Sequence, residues 1–213
     1  MTDIRVHQDE AAAVRRDVLK DVLDCALGAL LFCCALPLML LIALAIRLDS
    51  PGPALYRRRV VGRGGRLFDA LKFRTMVAEG DALLARHPEW AVENRGGRKR
   101  RDDPRVTRVG RVLRRLSLNE LPQLVNVLRG QMSLVGPRIV TPAELTGHDD
   151  WREAIVRVKP GLTGLWQVAG RDDLPLAERI RLDLLYVARR NILMDFSLLL
   201  KTFYVVLRGK GAY

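Results

Sequence analysis

Apolar and polar positions are spread very unevenly along this chain. From Cys25 to Ile46 it reads CALGALLFCCALPLMLLIALAI, with no charge. About 22 residues at about 1.5 Å each make roughly 33 Å of helix, and a bilayer core is about 30 Å thick. Residues 1–10 are polar and read as a frayed N-terminus. The pattern then predicts one helix over residues 11–48, amphipathic first and membrane-embedded from Cys25. The segment DSPGP, Asp49 to Pro53, stops it, because proline and glycine break regular structure. A cleavable signal peptide fits poorly, since the run is long and Asp17, Asp21 and Asp24 precede it.

The flanks bear on how this helix meets a membrane. Arg15, Arg16 and Lys20 come before the apolar run, and Arg47, Arg57, Arg58, Arg59, Arg63 and Arg66 come after it. Basic residues beside a membrane segment stay on the cytoplasmic side. A single crossing would export one cluster, whereas a re-entrant helix keeps both inside. Pro37, past the middle of the run, removes a backbone donor and offers a place for the bend.

Beyond residue 53 the periods are shorter. ALYRRRVVGRGGRLFDALKFRTM has two β-prone runs around Gly62, Gly64 and Gly65 and predicts a small β-hairpin. Residues 77–90 predict a helix ending near His87-Pro88, followed by a basic, glycine-containing loop from Glu93 to Asp103. Leu121, Leu124, Val125 and Leu128 fall on one helical face, with Gly130 placed to end that helix. MSLVGPR and KPGLTGLWQVAGR are turn-rich. The tail predicts two helices, at about Leu176–Arg190 and Phe196–Leu207. The last is apolar on most sides. It suits either a core or a membrane interface in which Lys201, Arg208 and Lys210 reach headgroups.

Charge narrows the partner. The 213 residues carry a formal +12, with a pI near 10.4, which calls for an anionic ligand or surface. Aromatics make up only 6% of the chain, which argues against base-stacking platforms. The basic residues are scattered among Gly/Pro turns instead of lining one helix, so nucleic acid is not the expected partner. Cys25, Cys33 and Cys34 lie within the apolar run, without disulfide or zinc spacing, and read as small buried hydrophobes in a reducing compartment.

The stretch SLNELPQ, Ser117 to Gln123, carries the candidate chemistry. Ser117 with Glu120 matches a capping box, and Asn119 as N-cap would put Pro122 comfortably in the first turn. Either choice places Asn119 and Glu120 at a helix start, where free N–H groups favour an anion. Arg111, Arg114 and Arg115 precede this turn and Arg138 follows it. Guanidinium groups hold phosphates through paired hydrogen bonds, and a carboxylate can hold a divalent cation. The same residues also fit a plain helix cap beside a solvated basic face.

The motifs SPGPALYRRRVVGRGGRLFDALKFRTM, DPRVTRVGRVLRRLSLNELPQLVNVLRGQMSLVGPR, KPGLTGLWQVAGR and the terminal GAY resemble those of the bacterial sugar transferases. These are the monotopic polyprenyl-phosphate phosphoglycosyl transferases, and the likeness is to their small form, from about residue 18 onward. The resemblance implies an enzyme that moves sugar-1-phosphate from a UDP-sugar to undecaprenyl phosphate. The products are undecaprenyl-diphosphate sugar and UMP, and the reaction begins exopolysaccharide, capsule, O-antigen or related glycan synthesis. It implies Mg2+ and the cytoplasmic face of the bacterial inner membrane. It also allows a homodimer and contacts with downstream glycosyltransferases. The implied fold is mainly α with a small β-hairpin: an N-terminal re-entrant membrane helix, interfacial helices and a compact cytoplasmic catalytic domain over residues 49–213.

In that family the turn before ELPQ holds an Asp-Glu dyad whose aspartate attacks phosphorus and whose glutamate helps hold the metal. Glu120 matches the glutamate, and Asn119 stands where the aspartate is expected. Lys72, Arg114 and Arg138 match basic positions that hold substrate phosphates. Arg74, Arg111, Gln167 and Arg171 lie in matching motifs without an assigned role. An amide oxygen is a weak nucleophile. Three readings therefore stay open: an impaired variant that still binds substrate as a membrane scaffold, takeover by Glu120, or direct attack by polyprenyl phosphate.

Overall fold

A computed structural model describes residues 2–86 and 103–208. The basic loop, the end of the helix at residues 77–90 and the terminal GAY lie outside the described residues. Helix α1 (Thr2–Asp49) starts ahead of the expected Ala11, since Glu10 to Ala13 favour helix and no breaker stands before them. It passes Pro37 without a break.

One stripe of α1 faces the rest of the chain. Asp24, Gly28, Ile42 and Ile46 are buried along it, and Phe32, Ala35, Met39 and Ala43 are partly buried. Their spacing of three and four residues is the helical repeat. Most of the rest of this stretch is apolar and exposed, including Leu30 at 60%, Leu40 at 64% and Leu41 at 65%. Cys25, Cys33 and Cys34 are exposed free thiols on that outer face. The expectation of buried cysteines is therefore corrected: the helix buries one narrow stripe in the protein, and the cysteines fall outside it.

Polar contacts tie down both ends of α1. Near the start, Arg190 reaches Asp17 (2.9 Å), Lys159 reaches Asp21 (2.7 Å) and Lys20 reaches Asp195 (2.7 Å). At the end, Arg74 donates to the carbonyls of Pro51 and of Ser50 (2.7 Å), and Asp49 accepts from the Val109 N–H (3.1 Å). The flanks thus meet the same body because the helix lies along it.

The predicted hairpin is present. Strand β1 (Leu55–Val61) pairs antiparallel with β2 (Leu67–Phe73), from Leu55 opposite Phe73 to Val61 opposite Leu67. Gly64 (φ 69°) and Gly65 (φ 74°) turn the chain in a left-handed region that suits glycine. Helices α2 (Gly80–Arg86) and α3 (Arg108–Arg115) follow among the described residues. Thr107 caps α3 by accepting from the Gly110 N–H at 2.9 Å.

Helix α4 (Gln123–Leu128) is short and central. Leu124 and Val127 are buried in the main core with Val60, Phe68, Met132 and Leu134. Gly130, at φ 68°, ends it as expected. The turn-rich segments conceal a second sheet, in which β3 (Ser133–Val135) runs parallel to β4 (Gly161–Thr163). Gly136, Gly161 and Gly164 permit this approach, because a Cβ on any of them would meet backbone atoms of the facing segment. Helices α5 (Asp149–Ile155), α6 (Leu165–Ala169), α7 (Leu176–Arg189) and α8 (Ile192–Arg208) complete the described body. Leu193 (83% exposed), Phe196 and Phe203 leave an apolar outer face on α8.

Candidate active site

The turn holding Asn119 is not a helix cap. Residues 118–120 form a 3-10 turn, with Glu120 N–H donating to Ser117 O at 3.2 Å and Leu121 N–H to Leu118 O at 3.2 Å. Ser117 is left-handed at φ 56° and makes no side-chain cap bond, and α4 begins only after Pro122. The expected capping roles of Ser117 and Asn119 are thus corrected. Proline has no N–H to give to an earlier carbonyl, so the chain winds through tighter turns before a regular helix can start. Asn119 and Glu120 stand on this irregular turn, both half-buried.

Strand β2 brings a cation to it. Lys72 Nζ donates to Glu120 Oε1 at 2.7 Å, joining residues 48 apart in sequence. Lys72 is largely buried, its side chain 16% exposed. Asn126, fully buried on α4, holds this geometry. Its Oδ1 accepts from Leu71 N–H (2.9 Å), and its Nδ2 donates to Asp69 O (2.9 Å) and Gln131 Oε1 (2.8 Å). Strand and helix are therefore locked together next to Lys72, on either side of Ala70.

Arg114 also faces β2's end, where its Nε donates to Thr75 Oγ1 at 2.9 Å. The same threonine's carbonyl accepts from Thr107 N–H at 3.1 Å. Asp103 lies in this region, held below the usual carboxylate range by its hydrogen bonds to Arg105 and by the charge of Arg114. Arg74 instead turns toward the end of α1, and Arg111 is exposed on α3.

Arg138 belongs to a second polar cluster. Its Nη2 donates to Glu144 Oε1 at 2.7 Å, and Arg58 donates to Glu144 Oε2 at 2.9 Å. Glu144 also closes a capping box with Thr141 around Pro142–Leu145. Burial opposes charge on Glu144, but Arg138, Thr141 and Arg58 outweigh it and hold its carboxyl below the usual value. The guanidinium carbons of Arg138 and Arg179 lie 5.7 Å and 5.4 Å from the centroid of the Trp166 ring. Next to Trp166, the Gln167 Oε1 is buried with no hydrogen-bond partner among the described residues. Arg171 is buried and left-handed at φ 53°.

Of the sequence-predicted residues, then, Lys72 and Glu120 meet directly, Asn119 adjoins Glu120, and Arg114 is anchored on Thr75. Glu144, Trp166, Arg179 and Asn126 enter the polar framework without having been expected. Only Glu144 had a readable signal, the T-x-x-E spacing from Thr141.

Comparison with known proteins agrees with these motifs. The family model described as bacterial sugar transferase matches residues 15–209. The exopolysaccharide production protein ExoY of Rhizobium meliloti is 43% identical over 197 residues, covering 91% of this chain and 86% of that protein. The UDP-glucose:undecaprenyl-phosphate glucose-1-phosphate transferase of Caulobacter vibrioides is 44% identical over 209 residues, covering 92% and 73%. The undecaprenyl-phosphate galactose phosphotransferase of Salmonella typhimurium is 43% identical over 199 residues, covering 92% of this chain and 42% of that protein. By motif, by extent and by identity, the chain belongs to the bacterial sugar transferase family.

Proposed function

We propose that this protein transfers sugar-1-phosphate from a UDP-sugar to undecaprenyl phosphate, releasing UMP, as the opening step of exopolysaccharide or a related glycan. One observation carries the reading most: Lys72 and Glu120, from distant parts of the chain, meet at 2.7 Å beside Asn119. A cation and a carboxylate on an irregular turn suit a diphosphate and its metal. The names of the Caulobacter and Salmonella relatives, both sugar-phosphate transferases acting on undecaprenyl phosphate, point the same way.

The residues of the turn fit magnesium, which takes hard oxygen ligands and commonly relies on one or two protein groups plus substrate phosphates. Glu120 would supply a carboxylate oxygen and Asn119 an amide oxygen. Among the described residues no group of three or more His, Cys, Asp or Glu forms a dedicated cage, in keeping with an ion that arrives with the diphosphate. Bound there, the metal would neutralise diphosphate charge. Lys72, Arg114 and Arg138 would hold and orient phosphate oxygens. In the net reaction an oxygen–phosphorus bond forms at the β-phosphorus, the bridging bond to UMP breaks, and UMP leaves with the electron pair.

The membrane reading rests on α1. Within Asp17–Asp49, the most apolar 18 residues have a mean hydropathy of 2.8, and only 11% of that window is buried. Both ends of that segment contact the same body, which supports a helix seated in one leaflet over one that crosses. The exposed apolar faces of α1 and α8 would then enter the cytoplasmic leaflet of the inner membrane.

The test is UMP release from UDP-glucose and UDP-galactose by membranes holding the protein, magnesium and undecaprenyl phosphate. Turnover is expected, with Asn119→Asp equal or faster. Silence from both forms, with UDP binding intact, would favour the non-catalytic scaffold.

A further inference from the structure

Arg138 follows the sharp Gly136-Pro137 turn that leaves β3, and three contacts fix it. The guanidinium reaches Glu144 at 2.7 Å and packs 5.7 Å from the Trp166 ring centroid. The third contact is to the main chain: Arg138 N–H donates to Asp183 Oδ1 at 3.1 Å. Asp183 lies on α7 and is 2% exposed. Its other oxygen, Oδ2, accepts from Trp151 Nε1 on α5 at 3.2 Å. Trp151 is itself 1% exposed.

These contacts differ in what they can do. Glu144 divides its oxygens among Arg138, Arg58 and Thr141 and is partly open to solvent. It sets the direction of the guanidinium but leaves the backbone unconstrained. Asp183 has both oxygens engaged by N–H donors from different segments, deep in the protein. A buried carboxylate held in this way has one favourable placement, and moving it would strand two donors. Its reach to solvent is too small for contact with substrate. It is an anchor for the chain at Arg138.

We propose that Asp183 is a positioning residue: by holding the Arg138 backbone against α7 and α5, it presets the guanidinium for a phosphate oxygen of the UDP-sugar. The proposal rests on the reading of Arg138 as a phosphate-binding residue given above. Preorganisation of this kind acts on ligand affinity through the arginine it supports.

The probe is UDP, titrated calorimetrically with magnesium into the full-length protein in lipid nanodiscs. Asp183→Leu removes both acceptors, and UDP affinity is expected to fall about tenfold, the equivalent of about 1.4 kcal/mol. Arg138→Ala should weaken UDP at least as much, and the double variant should bind no more weakly than Arg138→Ala alone. Trp151→Phe removes only the other partner of the same carboxylate; it should lower the melting temperature and leave the UDP affinity within about twofold. If Asp183→Leu does not fold, Asp183→Asn replaces it, because one carboxamide oxygen cannot serve both donors, and a loss above about twofold is expected. An Asp183 effect that persists undiminished without Arg138, or is absent while Arg138→Ala still weakens UDP, overturns the positioning role and spares the arginine. Unchanged affinity in Arg138→Ala overturns the reading of Arg138 itself, and the positioning role with it.

Discussion

Asn126 joins the two halves of the candidate site, and its removal can be worked through. The residue is fully buried and makes three hydrogen bonds, two of them to β2 on either side of Ala70. Asn126→Ala would strand the Leu71 N–H, the Asp69 carbonyl and the Gln131 Oε1. A typical internal hydrogen bond is worth about 1 kcal/mol net, and a stranded buried group costs about 1–3 kcal/mol. Alanine's better helix propensity returns up to about 0.7 kcal/mol. The expected loss is therefore roughly 2–8 kcal/mol, a large part of a typical stability of about 5–15 kcal/mol. Urea unfolding in detergent, followed by far-UV circular dichroism, measures it. Asn126→Asp keeps the acceptor for Leu71 but gives up both donors, so it too should destabilise. Because β2 carries Lys72 and α4 follows Glu120, UMP release should fall in both variants even where they remain folded. A loss below about 1 kcal/mol with unaltered turnover would refute the claim that this amide locks strand to helix.

Two further outcomes follow from the charges. Burial pushes the Asp183 carboxyl up from 3.8 to about 6, against the hydrogen bonds and charge from Arg138 and Trp151. The folded chain therefore binds this proton first, so the group's contribution to stability falls as pH rises from about 4 to 6. Asp183→Leu lacks that loss: its stability deficit relative to the parent should shrink by roughly 2 kcal/mol between pH 4 and pH 7, and a deficit constant with pH would contradict it. For topology, with Cys25, Cys33 and Cys34 replaced, single cysteines at Asp17 and Asp49 should both react with an impermeant thiol reagent from the cytoplasmic face. Reaction of one alone from that face would show a helix that crosses.

Much of the architecture was legible where a strong local signal acted. The hairpin followed from β-prone runs around Gly64 and Gly65, and the end of α4 from Gly130. The long apolar run gave α1, but no local rule showed that one stripe of it packs on the protein. The cysteines were misread for that reason. The buried amide of Asn126 was hidden because α4 lies between β2 and α1, where a polar face can be satisfied by a neighbouring backbone. Strands β3 and β4 span three residues each, too short for any period to show. Pro122 marked a helix start correctly in kind, yet the chain reaches it through tight turns and not through the caps offered by Ser117 or Asn119. Lys72 and Glu120 were named separately, from the resemblance alone, and their contact had no signal in the sequence; the fold brings the two together. Asp183 had no sequence signal, since its role depends on a backbone N–H from a different segment.

The central claim is the transfer of sugar-1-phosphate to a polyprenyl carrier. Protein in nanodiscs is given UDP-sugar labelled in the β-phosphate, magnesium and undecaprenyl phosphate, and the organic-phase label is counted. The account predicts label in the lipid at a rate matching UMP release, equal or faster with Asn119→Asp and lost with Lys72→Ala. Label that never enters the lipid with either residue at position 119, while UDP still binds, would contradict it.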